Sequence, residues 1–258
     1  MANNCLVTKL KESVANNNLS KLGVLRIHFV QSQINNPAFY VQFTAAEDSS
    51  MVGKKAQVYT EAGVFVKEIT LGYAGSISNK QMDGVTVPGY IEIPDKYLIT
   101  MLNLGNYPEC NVKFSEVTYI PITSNLVFKG ADVDSHLSQL PKTVSDINID
   151  NSFLERGVSG SLADIVNFTD TKCFYFTNTN IKGDLVDLQG KTTINELGLR
   201  NTNNCGGDIK LFFDAQFANG KTSGTTRVTV DSTGFYYDGV MFTGTKTATF
   251  TSEGYTVA

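Results

Sequence analysis

Two histidines and four cysteines are all that this 258-residue chain offers for imidazole and thiol chemistry. A Ser–His–acid set would have to use His28, set between Ile27 and Phe29, or His136, at the end of the stretch Asp132-Val-Asp-Ser. No G-x-S-x-G elbow, H-E-x-x-H pair or phosphate loop accompanies either one. Asp132-Val-Asp134 opens like a calcium loop. It lacks the third acidic ligand, the glycine and the distant glutamate, so it reads as turn carboxylates. Cys5, Cys110, Cys173 and Cys205 show neither a C-x-x-C pair nor zinc spacing; Cys173 and Cys205 read as small core residues. Carboxylate pairs for glycoside cleavage can converge from anywhere in a chain, and nothing makes one pair specific here. The expectation is a protein without catalytic residues, metal or cofactor.

The totals narrow the partners. A net charge of −4 and a pI near 5.2 give no general attraction for phosphate backbones, so nucleic acid is not expected. With 41% hydrophobic and 18% charged residues, the chain can build cores for two domains without disulfides. No eighteen apolar residues run together, and the leader MANNCLVTKLKES has no apolar core or cleavage site. Synthesis in the cytoplasm without a signal peptide, and no membrane insertion, are the expectations.

The elements that would position any site fall into four segments. Residues 1–20 carry Leu6, Leu10 and Val14 at helical spacing, an N-terminal helix or docking arm. Residues 21–121 turn to period two, with strands expected at 22–30, Phe39–Thr44, Ala56–Tyr59, Val64–Leu71, Tyr90–Ile93 and Val112–Ile120. Turn residues between them predict an antiparallel β domain, sandwich- or barrel-like, with a short helix over Asp95–Leu104. Residues 122–224 repeat. Four lines begin on Leu126/Phe128, Ile147/Ile149, Phe174/Phe176 and Leu197/Leu199, and later place Leu140, Ile165, Leu188 and Phe212. Gly160, Gly183 and Gly207 recur 23 and 24 residues apart, and extra residues within Phe153–Gly157 account for the one longer step. Such a period predicts a solenoid. Asp208 then caps a helix with Ile209, Phe212, Phe213 and Phe217 on one face and Gly220 as its stop. Residues 225–258 read as a C-terminal β-cap. The fold class expected is therefore mainly β.

The repeat resembles the leucine-rich repeat, L-x-x-L-x-L-x-x-N-x-L-x-G-x-I, over about a third of the chain. It departs from that pattern where Thr179 and Thr202 fill the asparagine slot, Asn180 and Asn203 follow one place late, and Ser135 replaces the first glycine. In such a repeat the residues between and after the buried pairs face outward in rows. Asn148, Tyr175 and Gly198 make one row, Asp150, Thr177 and Arg200 the next, and Asn151, Asn178 and Asn201 the third. Tyr and Arg are common interface anchors, which makes this a candidate binding face. Stacked asparagines can equally bond the neighbouring turn, which would leave the face a structural spacer.

The leader from Asn3 to Phe29 and the stretch Gly160–Ala258, ending in GYTVA, are also similar to structural proteins of phages and prophages of gut Bacteroidales, including crAss-like phages. That resemblance implies a non-enzymatic head or tail fibre or decoration protein located in the virion. The N-terminal part would dock to other virion proteins of the capsid or tail. The repeats would project toward a host-surface protein or glycan, in a homo-oligomer such as a dimer or trimer. The alternative is a bacterial leucine-rich-repeat binding module for a protein or glycan.

Overall fold

A computed structural model describes residues 23–29, 39–104, 117, 120–129, 136–150, 158–202 and 204–258. The expectations for the N-terminal arm, for most of Val112–Ile120, and for Asp132–Ser135, Asn151, Phe153–Gly157 and Asn203 lie outside the described residues. What is described is mainly β.

Alternating burial shapes the N-terminal strands β1 (Leu25–Phe29), β2 (Tyr40–Val41), β3 (Lys55–Thr60), β4 (Phe65–Thr70), β5 (Ile77–Ser78), β6 (Gly89–Ile93) and β7 (Leu102–Asn103). Leu25, Ile27 and Phe29 are buried while Arg26 and His28 between them are not, as a half-buried strand requires. An antiparallel sheet orders these strands β1-β6-β3-β4, and β2 pairs with β5. The helix expected over Asp95–Leu104 is corrected. Only Lys96–Leu98 form a single 3-10 turn, and Leu102 enters a strand. Ile99, Leu102 and Leu104 are buried whereas Tyr97 and Leu98 stay exposed, so the apolar residues serve a strand register rather than a helix face.

From β7 onward parallel pairing takes over among the described strands. β8 (Asn125–Lys129), β9 (Asp146–Asp150), β11 (Cys173–Thr177), β13 (Glu196–Arg200) and β15 (Gly224–Val230) stack in parallel beside β7. Leu126, Ile147, Phe174, Leu197 and Val228 lie opposite one another, as do Phe128, Ile149, Phe176, Leu199 and Val230. All ten are buried. The stacking is repeated at each strand entry, where Ser124, Ser145, Lys172, Asn195 and Arg227 donate their amides to the carbonyls of Thr100, Ser124, Ser145, Lys172 and Asn195. This ladder passes both limits read in the sequence. It starts before Pro121 with Leu102, which pairs with Leu126, and it includes β15 beyond residue 224.

A second, shorter ladder runs through β10 (Ser159–Ser161), β12 (Asn180–Asp184), β14 (Asn204–Asp208) and β16 (Phe235–Tyr237). Short 3-10 helices at Leu137–Gln139, Leu162–Asn167 and Leu185–Leu188 follow in successive turns, and α1 (Ile209–Ala218) takes that place in the next. β17 (Val240–Met241), β18 (Gly244–Thr251) and β19 (Gly254–Val257) reverse direction and finish the two sheets antiparallel. In α1, Ile209, Phe212 and Phe213 are buried as expected. Phe217 is 41% exposed, and Gln216 takes the inner place because its amide donates to Leu188 O at 3.1 Å. One continuous apolar core runs from Leu25 to Phe250.

Candidate binding face

Because side chains alternate along each strand, the residues between the buried pairs of the long ladder all point away from the core. Pairing aligns them in rows: Asp146, Cys173, Glu196 and Arg227; then Asn148, Tyr175, Gly198 and Thr229; then Asp150, Thr177 and Arg200. The sheet thus brings together Asn148, Asp150, Tyr175, Thr177 and Arg200. Asn178 and Asn201 sit just past the strands, and Asn151 lies outside the described residues.

Tyr175 is held from the neighbouring strand. Its hydroxyl donates to Glu196 Oε2, and Glu196 Oε1 lies 3.7 Å from Arg227 Nη1 on the next strand. A Cβ added to Gly198 would stand 3.1 Å from Tyr175 Cδ1, so the ring edge takes the space that a side chain would need at this buried glycine of β13. Burial, the bond to Glu196 and that carboxylate's charge together raise the phenol's pKa, which keeps it a donor.

Cys173 corrects the reading of a small core residue. It occupies an outward position in β11, half-buried beside Asp146. Burial first, and then its hydrogen bond with Asp146, push its thiol up to about 12, so it is protonated at neutral pH. Cys205 is buried and donates its thiol to Ile181 O at 3.2 Å.

The asparagine row bonds to itself. Asn178 Nδ2 points to Asp150 Oδ1 at 3.5 Å, Asn201 Nδ2 donates to Asn178 Oδ1, and Asn201 N donates to Asp231 Oδ1. Arg200 Nε reaches Asp231 Oδ2 at 3.2 Å. Asn178 and Asn201 have φ values of 53° and 50°, a left-handed conformation that asparagine tolerates better than most residues. Their amides therefore join successive turns, while Asn148, Tyr175 and Thr177 remain the forward-facing part of the surface.

The short ladder is built differently. Ser161 Oγ accepts from Ala163 N and Asp184 Oδ1 from Val186 N, while Asp164 and Asp187 accept the amides of Ser161 and Asp184. These are capping boxes, one per turn. His136 holds the same place one turn earlier. Its Nδ1 accepts from Ser138 N at 3.2 Å and lies 2.8 Å from Ser138 Oγ, and Gln139 accepts its amide. Asp164 Oδ2 stands 4.0 Å from His136 Nε2, too far for a hydrogen bond, and is already taken by Ser161 N. The Ser–His–Asp proximity is thus made of capping groups. Asp208 continues the series. Burial works to raise its pKa, but amides of Gly239, Leu211, Lys210 and Asp238 outweigh that and lower it.

One group had no counterpart in the sequence reading. On the outward face of the N-terminal sheet, Phe65, Tyr59, Tyr90 and His28 are cross-strand neighbours on β4, β3, β6 and β1. Tyr59 and Tyr90 stack at 5.2 Å, Phe65 meets Tyr59 edge-on, and Arg26 Cζ lies 5.0 Å from the Tyr90 centroid while its guanidinium bonds Glu92. His28, Tyr59 and Tyr90 are far apart in sequence, so only the strand register brings them together.

Among the described residues no three His, Cys, Asp or Glu side chains gather as metal ligands, and no helix is long and apolar enough to cross a membrane. No protein-family model, curated protein or solved structure matches the chain.

Proposed function

We propose that this chain is a non-enzymatic structural component of a phage virion, a head or tail fibre or a decoration protein. Its N-terminal β domain, read as sandwich- or barrel-like, docks to other virion proteins. A leucine-rich-repeat-like solenoid with a C-terminal β-cap projects from it and recognises a surface or partner. The observation that carries this reading is the single sheet that continues from β7, beside the N-terminal strands, through six parallel strands to β19 near the C-terminus. A stack bonded at every strand entry gives a stiff projection with a docking end and a free end. The resemblance of Asn3–Phe29 and Gly160–Ala258 to Bacteroidales phage structural proteins adds the virion setting.

Fibres generally work as symmetric homo-oligomers. The test is the absolute mass in solution of the full chain and of a chain beginning at Ser20, together with mass-spectrometric detection of the protein in purified particles. A dimer or trimer that survives removal of the arm, in a protein found in particles, supports the fibre. Monomers from both chains, absent from particles, would replace it with the second reading, a bacterial leucine-rich-repeat binding module. The outward ring of Tyr175 favours recognition in either case.

A further inference from the structure

Tyr175, outward on β11, reaches across to the neighbouring strand β13. Its ring carbon Cδ1 takes the space beside Gly198 one strand away, where a Cβ would come within 3.1 Å of it. Its hydroxyl is tied to Glu196, which Arg227 faces from the following strand. The ring is therefore held at two points, beside Gly198 and at Glu196, and has little freedom to lose on binding.

We infer that Tyr175 is the floor of a glycan-binding subsite that takes a neutral pyranose; this rests on the reading of the coil as a recognition element. The face of an aromatic ring is its negative side, and the polarised C–H bonds on the apolar side of a pyranose pack against it. The sugar's hydroxyls then need donors and acceptors around the rim. Asn148 flanks the ring from β9, Thr177 follows it along β11, and Thr229 lies across Gly198 on β15. Among the described residues the Asn148 amide is engaged by no other side chain, so it can both donate and accept.

Charge selects the kind of sugar. Both arginines near the ring already face carboxylates, Arg200 at 3.2 Å from Asp231 and Arg227 at 3.7 Å from Glu196. Asp146 and Asp150 add two more acidic groups on the same rows. A uronic or sialic acid would meet net negative charge here, whereas a neutral hexose meets only hydrogen-bonding partners.

The test uses the full chain on immobilised mannan, galactan and dextran, with polygalacturonate and alginate as anionic probes. The full chain binds at least one neutral polysaccharide, Tyr175→Ala weakens that binding at least tenfold, and Tyr175→Phe keeps it within about threefold because the ring remains. Thermal melts confirm that each variant is folded. Retention on the anionic polymers alone, or equal binding by Tyr175→Ala, overturns the subsite. Attachment to Bacteroidales cells after periodate or protease treatment separates this proposal from the one beneath it. Loss after periodate supports the glycan. Loss after protease alone overturns the glycan but leaves a recognition face, and attachment that no outward substitution alters removes both.

Discussion

Asn201 donates its side-chain amide to the side-chain oxygen of Asn178, one turn earlier in the coil, and both residues are left-handed. Sequence alone left these asparagines open as recognition groups or as turn-to-turn bonds; their amides are occupied in the second way. Two contributions can be separated by substitution. Asn201→Gly keeps the backbone conformation and loses the bond, at about 1 kcal/mol. Asn201→Ala loses the bond and adds about 1–2 kcal/mol for a left-handed non-glycine residue. Urea melts should therefore rank wild type above Asn201→Gly above Asn201→Ala. Equal stability of the two variants would show that backbone conformation is not what holds the asparagine there.

Phe176 and Leu199 are adjacent rungs of one buried row. Phe176→Ala should cost about 3–5 kcal/mol, since stacked rungs cannot easily collapse into the space. Leu199→Asp places an unpaired charge in the same row and should abolish cooperative melting of the coil. A cooperative Leu199→Asp variant, followed by circular dichroism, would contradict the placement of that residue.

Why the coil was legible and its surroundings less so follows from where the signals lie. Leu126/Phe128 through Leu197/Leu199 repeat a local pattern, so spacing alone predicts their alignment. Leu102/Leu104 and Val228/Val230 belong to the same ladder. Their lines lack the Gly-Asp step, and the sequence reading assigned them to other segments. On the face, Tyr175 could be placed in a row by counting, but its contact with Glu196 could not. That contact needs the ring to pass beside Gly198, where a side chain on the other strand would crowd it. Cys173 adjoins the buried Phe174, and adjacency in a strand reverses the side, which turns it outward.

Gly183 and Gly190 make a matched pair. Gly183 has φ +131°, and a Cβ there would come 2.9 Å from Asp187 Oδ2 and 3.2 Å from Leu162 Cβ of the preceding turn. Gly190 faces open space. Gly183→Ala should lose about 1–3 kcal/mol, and Gly190→Ala should stay within about 0.5 kcal/mol of wild type. Denaturant midpoints measured side by side decide it, and equal losses would remove the close-approach argument.

Asp208 does one task more than Ser161. It caps α1 through Lys210 N and Leu211 N, and it holds the β16–β17 hairpin through Gly239 N at 2.9 Å and Asp238 N at 3.3 Å. Ser161→Ala should cost about 1 kcal/mol as an ordinary cap loss. Asp208→Ala should cost more and expose the Asp238 and Gly239 amides to hydrogen exchange. Because its folded pKa is lowered, this contribution is present above the unfolded value of about 3.9 and is lost as pH falls through the folded value. Unchanged exchange at those two amides in Asp208→Ala would show that the hairpin is held by something else.

Lys221 gives the coil a pH dependence of opposite sense. It is 5% exposed, its Nζ donates to Ile194 O and lies 5.5 Å from the Phe250 ring centroid, and burial lowers its pKa to about 8. An unfolded lysine titrates near 10.4. Between about pH 8 and 10.4 the unfolded chain holds a proton that the folded chain has released, so this group's contribution to stability rises with pH across that window. Cys173 works against it. Its folded value of about 12 lies above an unfolded value near 8.5, so its contribution falls as pH rises from there. The wild-type curve contains both effects, and Lys221→Met isolates one. The stability difference between Lys221→Met and wild type should favour the variant most below about pH 8 and shrink toward about pH 10, read from urea melts across that range. A difference that does not change with pH would mean that the amine titrates in the folded protein as it does in water, and that the Ile194 carbonyl and the Phe250 ring do not bury it.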